Sequence, residues 1–279
     1  MSSCYSIVED VRKGINDFSE EKLNGTEEGA FSNQYVLSKI NNAQRYLYSV
    51  LIKRIPEQFL SSKDITGINS VYTLPQDFGR LIVFQDEYGR KVYSLKANQL
   101  KLKDASGSDR FYYRKGNALI LDKDGVTKTY TLWYYRRPRD LIFGKATAGG
   151  ANSITFASTA STTADYYNGL YLENVTQEWT YEITDYSTAR VATVSGTAEA
   201  NDYYGIISDL PEPFHFLISL KAIMDINAES PIAMRRTDRT DLALFQDQLS
   251  ETISAFAPIA DDDADDPYTD YDPICGGVW

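Results

Sequence analysis

Histidine is nearly absent from this 279-residue chain: His215 is the only one. That removes most histidine-based acid–base catalysis and histidine-rich metal sites. Cysteine is almost as scarce, with Cys4 and Cys275 near opposite ends. Two distant thiols make neither a disulfide framework nor a CxxC site, and they fit assembly in a reducing compartment. The longest apolar runs are short, such as Leu81 to Phe84 and Ala118 to Leu121. A membrane span needs about 20 such residues, so no membrane partner is expected. Residues 1–13 show no basic stretch followed by an apolar one, so no secretory leader is expected. The triplets Asn24-Gly25-Thr26 and Asn174-Val175-Thr176 then read as chance matches to a glycosylation pattern. Positive charge is in deficit, with Lys+Arg 28 against Asp+Glu 39 and a net charge of −11. A protein that wraps nucleic-acid phosphates should be basic, so DNA or RNA is not expected as a tightly held ligand.

What remains is an ordinary folded composition, 43% hydrophobic and 24% charged. The length suits roughly two domains, or one with a sizeable insertion. Tyrosine is the exception: 21 residues, against Phe 12 and Trp 3. Its apolar ring and wet hydroxyl suit half-buried strands and interfaces. The plain reading is a Tyr-rich β protein; the sharper one is extensive subunit contact.

The periodicity divides the chain into five parts. Residues 1–66 read as N-terminal helices. Val8, Val11, Ile15 and Phe18 recur at helical spacing, then Asn24-Gly25 and Gly29 break the chain. Val36, Leu37, Ile40, Ala43, Leu47, Val50, Leu51 and Ile55 form one apolar stripe, with Ser32 or Asn33 as cap and Pro56 as stop. A helix from Ser32 to Ile55 would be about 36 Å long. Residues 67–145 change to period two and read as a central antiparallel meander, turning at Glu87-Tyr88-Gly89, Lys115-Gly116-Asn117 and Lys123-Asp124-Gly125. Residues 146–208 open with an Ala/Gly/Ser/Thr-rich stretch and return to alternation, as a small β-sandwich or barrel-like insertion. Residues 209–257 are helical again, with Phe214, Leu217, Ile218, Ala222 and Ile226 on one face and Leu242, Phe245, Leu249, Ile253 and Phe256 on another. The fold class expected is α+β, with the terminal helices forming a bundle.

Residues 258–279 differ from the rest. This acidic arm holds seven Asp and no Lys or Arg, so it carries −7 of the total −11. Pro258, Pro267 and Pro273 forbid a regular helix. Alone such a segment should be disordered; coupled folding and binding would let it insert into a partner. Tyr268, Tyr271, Ile274, Val278 and Trp279 are its candidate anchors. The alternative is a solvated acidic tail.

Chemistry finds little support. There is no GxSxG elbow, no GxxxxGK[ST] loop and no GxGxxG turn. His215, between Phe214 and Phe216, reads as a packed residue. Asp122 and Asp124 lack the remaining ligands of a calcium loop and read as hairpin residues. Carboxylate pairs abound in an acidic chain, and none is singled out as a glycosidase dyad. The expectation is no enzyme, no catalytic residue, no metal and no cofactor. Two basic clusters remain: Arg136, Arg137 and Arg139 after Trp133-Tyr134-Tyr135, and Arg235, Arg236 and Arg239 before the last helix. Guanidiniums beside aromatics suit an acidic partner surface, including a neighbour's arm, or a phosphate. The plain reading is a solvated sheet edge that resists aggregation.

Four segments, in this order, carry a resemblance. They are Lys39-Ile40-Asn41-Asn42-Ala43-Gln44-Arg45-Tyr46-Leu47; Tyr72-Thr73-Leu74-Pro75-Gln76-Asp77-Phe78-Gly79-Arg80-Leu81; Trp133-Tyr134-Tyr135-Arg136-Arg137-Pro138-Arg139-Asp140-Leu141; and Asp209-Leu210-Pro211-Glu212-Pro213-Phe214-His215-Phe216-Leu217. Together they resemble head-to-tail adaptor (connector) proteins of tailed bacteriophages, the tail-tubular-A-like group of podoviruses included. Asp165 to Leu170, Ile183 to Tyr186 and Arg190 to Val194 resemble a small β module that recurs in phage structural proteins. The resemblance implies a non-enzymatic virion protein at the head–tail junction, assembled in the host cytoplasm. It implies a ring of copies of itself, a dodecamer, between the portal protein and a tail nozzle or tail tube protein. DNA passes through the lumen without specific binding, and an acidic chain suits that passage. Terminal arms that reach the portal are common in this family, although the acidic arm here matches none of its patterns. A phage fibre or adhesin-like glycan-binding protein is the alternative, with the Tyr/Trp-rich module stacking on sugars.

Overall fold

The computed structural model describes residues 2–23, 30–95, 110–123, 125–229 and 239–256. The chain is α+β, with four helices longer than one turn and four mostly antiparallel sheets among the described residues. Helix α1 (Cys4–Gly14) is capped by the Ser3 hydroxyl, and the single turn α2 (Glu20–Leu23) follows. Helix α3 (Asn33–Leu51) starts where expected, with the Ser32 hydroxyl accepting from the Tyr35 amide at 3.2 Å. It ends four residues early. Pro56 pushes Ile55 out of helical geometry (φ −136°, ψ 57°) and instead opens a 3-10 turn, Pro56–Phe59. Phe18 likewise lies beyond α1, which stops at Gly14.

Two sheets hold residues 60–136. Strand β1 (Leu60–Thr66) falls inside the stretch expected to be helical. It escapes detection because only Ile65 of its seven residues is buried. The next strands are β2 (Val71–Thr73), β3 (Phe78–Gln85), β4 (Tyr93–Ser94), β5 (Phe111–Lys115), β6 (Ala118–Leu121) and β7 (Thr129–Arg136). They do not form the expected meander. The orders are β1-β7-β3 and β2-β6-β5-β4, and β4 runs parallel to β5. Two of the expected turns do form: β5–β6 is the hairpin read from Lys115-Gly116-Asn117, with Gly116 at φ +58°, and the turn at Glu87-Tyr88-Gly89 brings Lys91 back beside Gln85, with Gly89 at φ +74°. The reason is burial. Strand β7 turns Tyr130, Leu132 and Tyr134 inward, and these need partners from both sheets. Tyr72, Phe84 and Tyr130 meet there, with Phe84 and Tyr130 stacked at 4.9 Å.

Residues 143–206 form two further sheets. Strands β8 (Phe143–Lys145), β9 (Ala148–Gly150), β10 (Ser153–Thr155), β11 (Tyr171–Asn174), β12 (Trp179–Glu182), β13 (Asp185–Tyr186), β14 (Val191–Thr193) and β15 (Tyr203–Ile206) order as β12-β11-β15-β8 and β13-β14-β10-β9. Phe156 stacks on Tyr204 at 4.6 Å between them. Helices α4 (His215–Glu229) and α5 (Arg239–Phe256) complete the chain.

Two cores result. One joins α1, α3, α4 and α5 to residues 141–210 without a break, through Ile7, Ile40, Leu217, Phe156 and Ile206 among others. The other lies between the two sheets of residues 60–136. Each fully buried aliphatic side chain contributes roughly 1.5–3 kcal/mol.

Candidate partner interface

The inward face of α3 carries two polar residues in its apolar stripe. Asn41 Nδ2 donates to the Leu141 carbonyl at 3.1 Å, and Asn41 Oδ1 accepts from the Leu141 amide at 2.7 Å. One turn on, Gln44 Nε2 donates to the Arg139 carbonyl at 2.8 Å, while Gln44 Oε1 accepts from the Ser208 hydroxyl at 2.6 Å. Asp77, before β3, accepts from the Arg137 amide at 2.7 Å and from the Tyr134 hydroxyl at 2.9 Å. Buried polar groups need such partners, and these bonds pin the segment after β7 between α3 and the approach to α4.

The three arginines of that segment have different fates. The Arg139 side chain is 9% exposed; its Nε lies 3.3 Å from Asp209 Oδ2 and its Nη1 donates to the Asn168 carbonyl. It therefore serves the chain's own fold rather than standing free for a partner. Arg136 is partly exposed, 3.9 Å from Asp209 Oδ1. Arg137 is exposed, and only its amide is engaged; among the described residues its guanidinium has no acceptor.

Arg137 borders an open cleft of about 280 Å³, whose other walls include Arg45 and Tyr48 of α3, Gln76, Asp140 and Tyr166. Tyr48 is fixed edge-on against Phe59 at 5.1 Å, and Tyr166 edge-on against Tyr167 at 4.8 Å. Burial raises the hydroxyl pKa of both tyrosines, with Arg137 opposing, so both stay neutral. Arg45 pairs with Asp140 at 2.5 Å, both about half exposed. Such a pair is worth little and opens easily. Gly79 permits the close approach beneath the cleft. A Cβ there would lie 2.7 Å from the Tyr135 carbonyl and 3.1 Å from the Tyr48 hydroxyl. A planar guanidinium fork beside neutral hydroxyls suits a carboxylate or phosphate.

The other expected residues fall elsewhere. Arg235 and Arg236 lie outside the described residues, as do Tyr268, Tyr271, Ile274, Val278, Trp279 and Asp124. Arg239 begins α5, and its side chain is likewise outside. His215 is packed as read: Nδ1 accepts from the Ser2 amide at 3.1 Å, so Nε2 donates to the Leu210 carbonyl at 2.8 Å. Burial lowers its pKa. Asn174 is fully buried and donates to Asp202 at 2.8 Å, which closes it to modification. Cys4 is buried, and burial pushes its thiol pKa up. Among the described residues no cluster of three His, Cys, Asp or Glu could hold a metal, and no helix is long and apolar enough to cross a membrane.

Asn41 and Gln44 were missed as site residues. Their signal was legible: both interrupt the stripe of Ile40, Ala43 and Leu47 on the face that must be buried. No protein-family model matches the chain, and no curated protein matches it either.

Proposed function

We propose that the chain is a structural, non-enzymatic head-to-tail adaptor of a tailed-bacteriophage virion. One observation supports this reading above the rest. The four segments that carry the resemblance are distant in sequence, yet they meet at one junction. Asn41 holds Leu141, Gln44 holds Arg139, Asp77 holds Tyr134, and Arg139 holds Asp209. A chance likeness of short segments gives no reason for them to touch.

In this reading the terminal helices are the bundle that packs against neighbours and the portal, and residues 146–208 are an inserted module. The β parts face the tail nozzle or the outside. Copies join head to tail, each using two different surfaces, in a ring of twelve. DNA passes through the lumen without specific binding, which the net charge of −11 favours. The anchors Tyr268, Tyr271, Ile274, Val278 and Trp279 belong to an arm that docks on the portal or a neighbour. Negative-stain imaging of the chain co-expressed with the portal protein tests this. Portal rings capped by an added layer are the expected result. Bare portals beside free monomers would reject it.

Glycan binding by the module is the second reading. Trp179 and Tyr181 lie on β12, the outer strand of its sheet, with ring centroids 5.2 Å apart, and Tyr171 beside them is 45% exposed. Glycan-array binding lost in Tyr181→Ala would favour it.

A further inference from the structure

The cleft beside Arg137 is lined by an exposed arginine and two half-buried tyrosines. Arg137 has no acceptor among the described residues, although Arg139 two positions on is fully used. Tyr48 and Tyr166 line the same space, the Tyr166 hydroxyl accepting from the Asp140 amide at 3.4 Å. A carboxylate, Asp140, already stands at the rim in a half-exposed bridge with Arg45. That bridge can open to admit another carboxylate at small cost.

We propose that this cleft binds aspartates of residues 257–279 from a second copy of the chain. The segment follows α5 directly and carries seven Asp with no Lys or Arg. Fully extended, its 23 residues reach on the order of 75 Å, enough to cross to a neighbour. A second copy, rather than the same one, follows from the surface next to the cleft. Tyr46, adjacent to Arg45, is 43% exposed and packs on Phe245 of α5 at 6.3 Å. Leu242 and Leu244, beside Phe245, are each 51% exposed. Exposed apolar side chains thus lie on both flanks of Phe245 near the rim of the cleft, with the Lys221 ammonium 5.0 Å over the Tyr46 ring, and a neighbouring copy would cover them. The net charge of −11 weighs against nucleic acid as the occupant. The inference draws on the ring reading only for the presence of a neighbour.

The test is fluorescence anisotropy of a labelled 257–279 peptide with the full-length chain. It needs no portal, so its failure is separate from failure of portal capping. Saturable binding is expected, weakened at least roughly tenfold by Arg137→Gln and abolished when the peptide's aspartates become asparagines. Arg137→Lys should fall between, since it keeps the charge but loses the fork. The Arg137 side chain is exposed and only its amide serves the fold, so both variants should melt like the parent. Binding absent both from the parent and from a chain whose own aspartates in this segment are replaced, or equal binding by Arg137→Gln, overturns the proposal. Peptide that binds a chain sedimenting as a monomer only after that chain's own aspartates in this segment are replaced shows an intrachain occupant and also overturns it. Duplex DNA held by the parent and released by Arg137→Gln reassigns the cleft to phosphate and overturns it too.

Discussion

Arg12 is the least expected residue of the chain. Its side chain is 1% exposed, yet its guanidinium is partnered: Nη1 donates to Asp17 Oδ2 at 2.8 Å, and Nη2 to Asn33 Oδ1 and the Phe31 carbonyl. It ties the end of α1 to the start of α3. Removing one partner of a buried pair strands the other charge, at a cost of about 3–5 kcal/mol. Arg12→Ala should therefore lower the urea midpoint severely; a loss below about 1 kcal/mol would show that the pair is not buried in solution. His215 offers a second prediction at this scale. Burial lowers its folded pKa from the usual 6.5, so the unfolded state binds the extra proton. Stability from this residue is present above pH 6.5 and is lost as pH falls below it toward the folded value. The melting temperature of the parent should drop more steeply than that of His215→Gln between pH 7 and pH 5, a window set by the reference value. Parallel curves would refute the assignment. The packing of His215 between Phe214 and Phe216 was legible in sequence, but its partners and those of Arg12 were not, because they depend on which atoms the fold brings beside these side chains.

Among the elements, α3 organises the site, and its polar residues matter as much as its apolar ones. Asn41 closes two hydrogen bonds with Leu141 in a buried place. Asn41→Leu leaves that amide and carbonyl unsatisfied, at about 1–3 kcal/mol, with amide exchange rising first in residues 139–142. Unchanged protection there would mean the junction is held by something else. The helices were legible because each writes its burial as a stripe: Val36, Ile40, Ala43, Leu47 and Leu51 in α3, and Leu217, Ile218, Ala222 and Ile226 in α4, are all fully buried. Strand β1 was hidden because an edge strand with one buried side chain writes no alternation. Sheet order was hidden for another reason. Leu60 pairs with Tyr135 across most of the β region, and no local pattern encodes that partner. The arginine cluster was visible as a cluster, but the fate of Arg139 was not, since Asp209 reaches it only through the tertiary fold.

At the scale of the molecule, the two cores set the unfolding behaviour. The sheets of residues 60–136 close on Tyr72, Phe84, Tyr130 and Leu132, while the helices and residues 141–210 share the other core. What links them among the described residues is narrow: the segment after β7, with Arg137 bonded to Asp77, Tyr135 of β7 packed on the helical core, the 3-10 turn leading into β1, and the Arg136–Asp209 pair. Cooperativity requires that unfolding one unit expose enough of the other to carry it along, and separate cores weaken that coupling. The tryptophans report on each side. Trp133 is on β7 of the first unit, and Trp179, whose indole donates to the Thr197 carbonyl at 2.9 Å, is on β12 of the second. Variants retaining only Trp133 or only Trp179, with Trp279 replaced in both, should give two distinct denaturant midpoints by fluorescence. Circular dichroism, dominated by the helices, should follow Trp179. The Trp133 transition should come first, because its core draws on sheets alone and the other is braced by four helices. Coincident transitions for both tryptophans and the helical signal would show one cooperative fold, with the junction around Asn41, Gln44 and Arg139 strong enough to fuse the two cores.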